Sequence, residues 1–170
     1  MALYLIGSGP MQTTASFATL ATGTSIITLL QVKPSATITA KIIEWGVSFD
    51  ASAAATPGKI ELIETDVAAT VTASVANDIT KYDADALNGG DPTTNLIVVG
   101  TTSTGYNASG EGSITTIRNL AGPQLIAPTN QFVQQFPLGR EPVIQVSKFA
   151  RIRVKFGTGV NAYAYMIVQV

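Results

Sequence analysis

Short runs of apolar and β-branched residues, spaced by Gly, Pro, Asn and Asp clusters, recur along the whole chain. No stretch carries the three-to-four-residue spacing of a long amphipathic helix. This pattern predicts a β-sandwich or barrel. Strands are expected over residues 25–32, 38–49, 59–64, 70–75, 95–101, 112–120, 131–136, 149–156 and 161–170.

Three of these runs alternate with period two. Ile43, Trp45, Val47 and Phe49 oppose Glu44, Gly46, Ser48 and Asp50; Ile60 and Leu62 oppose Lys59, Glu61 and Ile63. In the clearest case, Ala150, Ile152, Val154 and Phe156 oppose Arg151, Arg153 and Lys155. Such alternation places one face on a core and leaves the other polar. Trp45, Val47, Phe49, Ile152, Val154 and Phe156 are therefore the expected core anchors, the indole bringing the largest buried area. The final run, with Tyr163, Tyr165, Met166, Ile167, Val168 and Val170, is too apolar to sit at an edge without inviting aggregation, so it should be central in a sheet. Ala55-Thr56-Pro57-Gly58 and Gly157-Thr158-Gly159 read as turns, each joining two strands as a hairpin.

The first two dozen residues differ. Leu3-Tyr4-Leu5-Ile6 is a short apolar patch followed by a stretch of Gly, Ser, Thr and Ala without a strong period. Residues 1–24 read as an arm that crosses to a neighbouring chain, with an ordinary first strand plus loop as the alternative, and residues 25–170 as one sandwich domain. Residues 77–91 and 107–112 are polar or Gly-rich excursions.

Composition changes the picture in one respect. Hydrophobic residues make up 46% of the 170 and charged residues only 12%, against about 25% in an average soluble domain. A surface so poor in charge is expected to be covered by other protein. Disorder is disfavoured by the abundance of Ile and Val. A net charge of −1 gives no drive toward nucleic acid or an anionic membrane. The longest apolar run is far below the roughly 20 residues that span a bilayer, and the N-terminus lacks the basic start of a secretory signal. The expectation is a protein made in the cytoplasm and soluble until it meets its partner.

Candidate chemistry is sparse. The chain has no Cys and no His, which removes thiolate ligands, the commonest general base and the commonest metal ligand. Glu61 with Glu64, and Asp83 with Asp85, are the available carboxylate pairs, but spacing alone does not set them across a cleft as a glycosidase requires. Asp78, Asp83, Asp85 and Asp91, with Asn77 and Asn88, could offer oxygen ligands to Ca²⁺, though without the regular spacing of a calcium loop; a solvated loop is favoured. Residues 105–112 lack the Gly-Lys-Ser/Thr ending of a phosphate cradle. Arg151, Arg153 and Lys155, with Lys148, form a basic strand face that should pair with acidic residues on an adjacent strand or subunit. The expectation is no enzyme, no cofactor and no resident metal. The densest unusual stretch is APTNQFVQQFPLGREP at 127–142, where three prolines stiffen the backbone and Arg140 beside Glu141 suits a specific polar contact. It reads equally as a corner between sheets or as an interface.

Three stretches carry a family resemblance: KIIEWGVSFDASAAATPGKIELIET at 41–65, APTNQFVQQFPLGREP at 127–142, and RIRVKFGTGVNAYAYMIVQ at 151–169. From Lys41 onward the chain resembles small proteins encoded beside capsid genes in tailed bacteriophages of actinobacteria. The resemblance implies a virion protein, a capsid decoration (cement) protein with a jelly-roll-like fold. It also implies a homotrimer seated on the major capsid protein of the phage head. The partner contacts would then fall on Leu3, Tyr4, Leu5, Ile6, Phe136, Leu138, Arg140 and Glu141. Rival readings are a tail or head fibre knob with residues 77–91 at its tip, a receptor- or glycan-binding module, and a carbohydrate-binding module, which would need two or three exposed aromatics in a plane.

Overall fold

The computed structural model describes residues 2–14, 16–50, 56–82 and 96–170. The protein is an antiparallel β-sandwich. One sheet has the order β10 (Phe132–Gln135), β4 (Ala40–Asp50), β13 (Asn161–Gln169), β1 (Leu3–Gly7), β7 (Ile79–Lys81). Two short strands join it: β11 (Val143–Ile144) on β4 and β2 (Leu20–Ala21) on β13. The other sheet has the order β6 (Thr70–Ala73), β8 (Gly105–Gly110), β3 (Ile27–Val32), β12 (Phe149–Lys155), β5 (Gly58–Thr65), β9 (Ile117–Ile126).

The period-two residues supply the core. On the inner face of the first sheet Trp45 lies opposite Met166, Val47 opposite Ala164 and Phe49 opposite Ala162. Ile152 and Val154 of β12 meet Leu62 and Ile60 of β5 in the second sheet. Trp45, Val47, Ile152, Val154 and Phe156 are buried, and Phe49 is partly buried against them. Trp45 packs at 4.9 Å on Phe132 and donates its indole N–H to Gln134 Oε1 at 3.1 Å. Phe49 and Phe156 meet edge to face at 5.3 Å, tying the two sheets together. β13 is central, paired with β1 on one side and β4 on the other.

Several expectations are corrected. Residues 3–7 are no arm: β1 is paired on both sides, Tyr4 and Ile6 are in the core, and Ser8 continues the ladder onto Ala164. Four alternating residues are enough to fill a sheet slot, but too few to announce which one. Neither predicted hairpin forms. β4 and β5 lie in different sheets, as do β12 and β13, so both turns are arches between layers. Among the described residues no two consecutive strands pair with each other. Pro-Gly and Gly-x-Gly mark a reversal of the chain, not the layer to which it returns.

Ile43 does not face the core. The register slips between Ile167 and Val168, so Ile42 pairs with Val168 and takes the buried position while Ile43 is half-buried on the bulge. Residues 107–110, expected as a loop, belong to β8, and the strand expected at 112–120 starts at Ile117 and runs on to Ile126. Of the run 95–101, residues 97 and 99 make only isolated bridges. Ile79–Lys81 is a short strand. Asp83, Asp85, Asn88 and Asp91 lie outside the described residues.

Candidate interaction surfaces

The basic face of β12 is the first candidate site, and the fold covers Arg151 and most of Arg153 while Lys155 stays exposed. Residues 66–69 and the end of β8 lie over the outer face of the second sheet, and Arg151 beneath them is fully buried. Its guanidinium donates to the Val67 carbonyl at 2.5 Å, the Glu111 carbonyl at 3.1 Å and Gln31 Oε1 at 3.1 Å, and faces Glu111 Oε2 at 3.3 Å. Gln31 in turn accepts from the Ala69 N–H at 2.8 Å and donates to the Ser103 carbonyl at 2.5 Å. Glu111 accepts from the Thr28 N–H at 2.6 Å and its hydroxyl at 2.7 Å. Burial pushes the Arg151 guanidinium below its ordinary range and the Glu111 carboxylate opposes that shift. A buried cation persists only when its donors are satisfied, and here three distant parts of the chain, at Gln31, Val67 and Glu111, satisfy them. Arg153 reaches Glu61, directly opposite on β5, at 2.7 Å. The predicted pairing of the basic face with acids thus occurs within the chain.

The described carboxylates are committed in the same way, including Glu61 and Glu64 of the pairs considered for catalysis. Glu61 holds Arg153, while Glu64, nearly buried, accepts from Arg118 at 2.8 Å and from the Gln145 N–H at 2.8 Å. Asp66 accepts from the Thr115 hydroxyl and from the Thr116 N–H at 3.0 Å, and these bonds lower its pKa to about 2. Asp78 accepts the N–H groups of Met11 at 2.7 Å and Val75 at 2.8 Å.

The opposite flank is open. Among the described residues β9 ends the second sheet and pairs only with β5. β10 and β11 pair one after the other along one margin of β4, so residues 136–142 form an excursion between them. Arg118 of β9 donates to the Val143 carbonyl of β11, which brings the two sheet margins together. Within 117–146 lie Ile117, Leu125, Val133, Leu138 and Val146, half of the ten large apolar side chains left exposed among the described residues. Leu125 is 74% and Leu138 94% exposed. Leu138 stands at the tip of a turn closed by the Arg140 N–H on the Pro137 carbonyl at 2.9 Å. Gly139, at φ 81°, takes the left-handed position that such a turn demands. Glu141 accepts from the Gly139 N–H at 3.0 Å and lies 3.9 Å from Lys41 Nζ, so its carboxylate supports the turn. Backbone hydrogen bonds hold its pKa below the usual range.

No protein-family model matches the chain, and no curated protein does. The residues chosen from sequence as partner contacts therefore stand on their geometry. Leu138 and Arg140 are exposed at the tip, Phe136 is partly buried against the core, and Glu141 is turned inward. Leu3 and Leu5 are half-buried on the outer face of the first sheet, while Tyr4 and Ile6 are inaccessible. Sequence reasoning missed Leu125, Val133 and Ile117. The signal that could have found Leu125 and Ile117 is the Gly122-Pro123 pair inside their run, since a proline within a strand places that strand at an edge.

Proposed function

We propose that this chain is a structural virion protein, a capsid decoration (cement) protein that binds the outer surface of an assembled phage head. The observation that carries the reading is the open flank. A side chain as apolar as Leu138 sits almost wholly exposed on a rigid turn, beside the exposed Leu125 of an unpaired sheet margin. Buried apolar anchors dominate the energy of protein interfaces, and an anchor held rigid before binding loses little entropy on docking. The low charge of the chain and the resemblance of residues 41–65, 127–142 and 151–169 favour the same reading, as they favour a jelly-roll-like topology and a homotrimer. The β9 margin is not a template for unlimited strand addition: Pro123 lacks an N–H, and the β5–β9 register breaks on both sides of Leu62. Docking is then through side chains, with trimer symmetry multiplying weak contacts by effective concentration. A protein that binds the closed shell and not its open form stabilises the shell by mass action.

Mixing the purified protein with undecorated heads should give saturable co-sedimentation and a higher rupture temperature. Light scattering after size exclusion should report a trimer. A monomer that leaves heads untouched contradicts the proposal. The alternative, a fibre knob or receptor-binding module, draws on a different part of the molecule, described next.

A further inference from the structure

The outer face of the first sheet carries two tyrosines laid over glycines. Tyr165 is flanked by Gly7 on β1 and Gly46 on β4, and its ring occupies the space a Cβ at Gly46 would need. The Tyr163 phenol lies in the same way over Gly7. Tyr165 is fixed by donating its hydroxyl to Glu44 at 2.6 Å. Phe17, from the loop between β1 and β2, meets Tyr163 at 5.1 Å with the rings inclined at 57°. That loop is held over the sheet by the Met11 N–H on Asp78. Between loop and sheet lies a cleft of about 310 Å³. Aromatic groups, Phe17 and Tyr163, line one part of it, and Gln12, Asp78 and Thr80 supply polar groups.

We propose that this cleft binds a neutral saccharide, one pyranose ring in depth. Its volume lies at the lower end of the range for small-molecule sites, and its make-up, aromatic walls with a few convergent polar groups, matches theirs. The negative face of an aromatic ring attracts the weakly positive C–H groups on one face of a sugar. The hydroxyl edge then meets complementary partners: the Asp78 carboxylate still has lone pairs beyond its two backbone donors, Gln12 both donates and accepts, and Thr80 carries a hydroxyl. Among the described residues the lining contains an acid and no Lys or Arg, which disfavours phosphate, sulfate or an acidic sugar. A purely aliphatic ligand would leave those polar groups without partners. The two aromatics that line the cleft are far apart in sequence, at 17 and 163, so only the fold assembles them.

The test is saturation-transfer-difference NMR on the full chain with the methyl glycosides of glucose, galactose, mannose and N-acetylglucosamine. At least one should receive transfer on the C–H groups of one ring face, with affinity near the millimolar range. Phe17→Ala, a change in a half-exposed loop residue that leaves the core intact, should weaken that affinity at least about fivefold. Leu138→Asp, remote from the cleft, should leave it unchanged. Absence of transfer to all four sugars, or transfer undiminished in Phe17→Ala, overturns the proposal. Neither outcome bears on binding to heads, which uses the other flank and should survive Phe17→Ala.

Discussion

On the flank carrying β6, β8 and β3, Arg151 of a basic strand face is roofed by its own chain, and each of its guanidinium nitrogens finds an oxygen. On the flank carrying β9, β10 and β11, apolar side chains stand exposed, with none of the described residues roofing them. The two flanks lie in one sandwich and draw on one composition, so the difference comes from what each loop contributes. Residues 66–69 and 103–111 bring carbonyls and the Glu111 carboxylate to a buried cation. Residues 136–142 bring a proline, a glycine turn and a leucine that point away. A polar network that is fully satisfied fixes one arrangement of the chain. An apolar margin that is left unsatisfied holds its binding energy for another molecule.

The comparison breaks most sharply at Arg151. Arg151→Ala should destabilise the fold by about 3–5 kcal/mol, because Glu111 and several carbonyls lose the charge that satisfies them. Urea unfolding followed by Trp45 fluorescence measures this, and a loss below 1 kcal/mol would show that the roof is not held by the guanidinium. Gly46→Ala probes a crowded point on the outer face of the first sheet, where a Cβ meets the Tyr165 ring and the Phe132 carbonyl. A cost of about 1–3 kcal/mol is expected from overpacking, read from the same transition.

A smaller effect is expected at Asp66, which ties residues 115 and 116 to the covered flank. Its pKa lies at about 2 in the fold, below the ordinary 3.8. A depressed carboxylate contributes stability above its unfolded pKa and loses it as pH falls toward the folded value. The contribution should therefore be complete above pH 4 and fade between about 4 and 2. Asp66→Asn should flatten the stability profile in that window, its cost being greatest above pH 4 and vanishing toward pH 2. Smallest of all is the open flank. The pair Leu125→Asp and Leu138→Asp should alter stability by no more than about 0.5 kcal/mol, since both side chains are largely exposed. A larger loss would mean that this margin belongs to the fold.

Part of this was legible in the residues. The alternation around Trp45 and Ile152 predicted the core, and the apolar final run predicted its own central position, because period two with a buried face leaves little freedom of register. The covered face was not legible. Arg151, Arg153 and Lys155 alternate as a solvated face would, and only the distant Glu111 and Gln31 reveal that one of them is sealed in. Ile43 was misassigned because a bulge shifts the phase of a strand without altering its composition. The strand at Leu3–Gly7 was hidden by its brevity, and the arches by the fact that turn residues encode a reversal and not its destination. On the open flank, the turn at 137–140 was visible from Pro137 and Gly139, whereas the exposure of Leu125 depends on β9 having no neighbour beyond it among the described residues.

The central claim is that the open flank exists to be covered by the head surface. Co-sedimentation of the protein and of its Leu125→Asp/Leu138→Asp variant with undecorated phage heads tests it most directly. Saturable binding of the parent, weakened at least about thirtyfold in a variant that unfolds at the same urea concentration, is the predicted result. Equal binding by both proteins, or none by either, would contradict it.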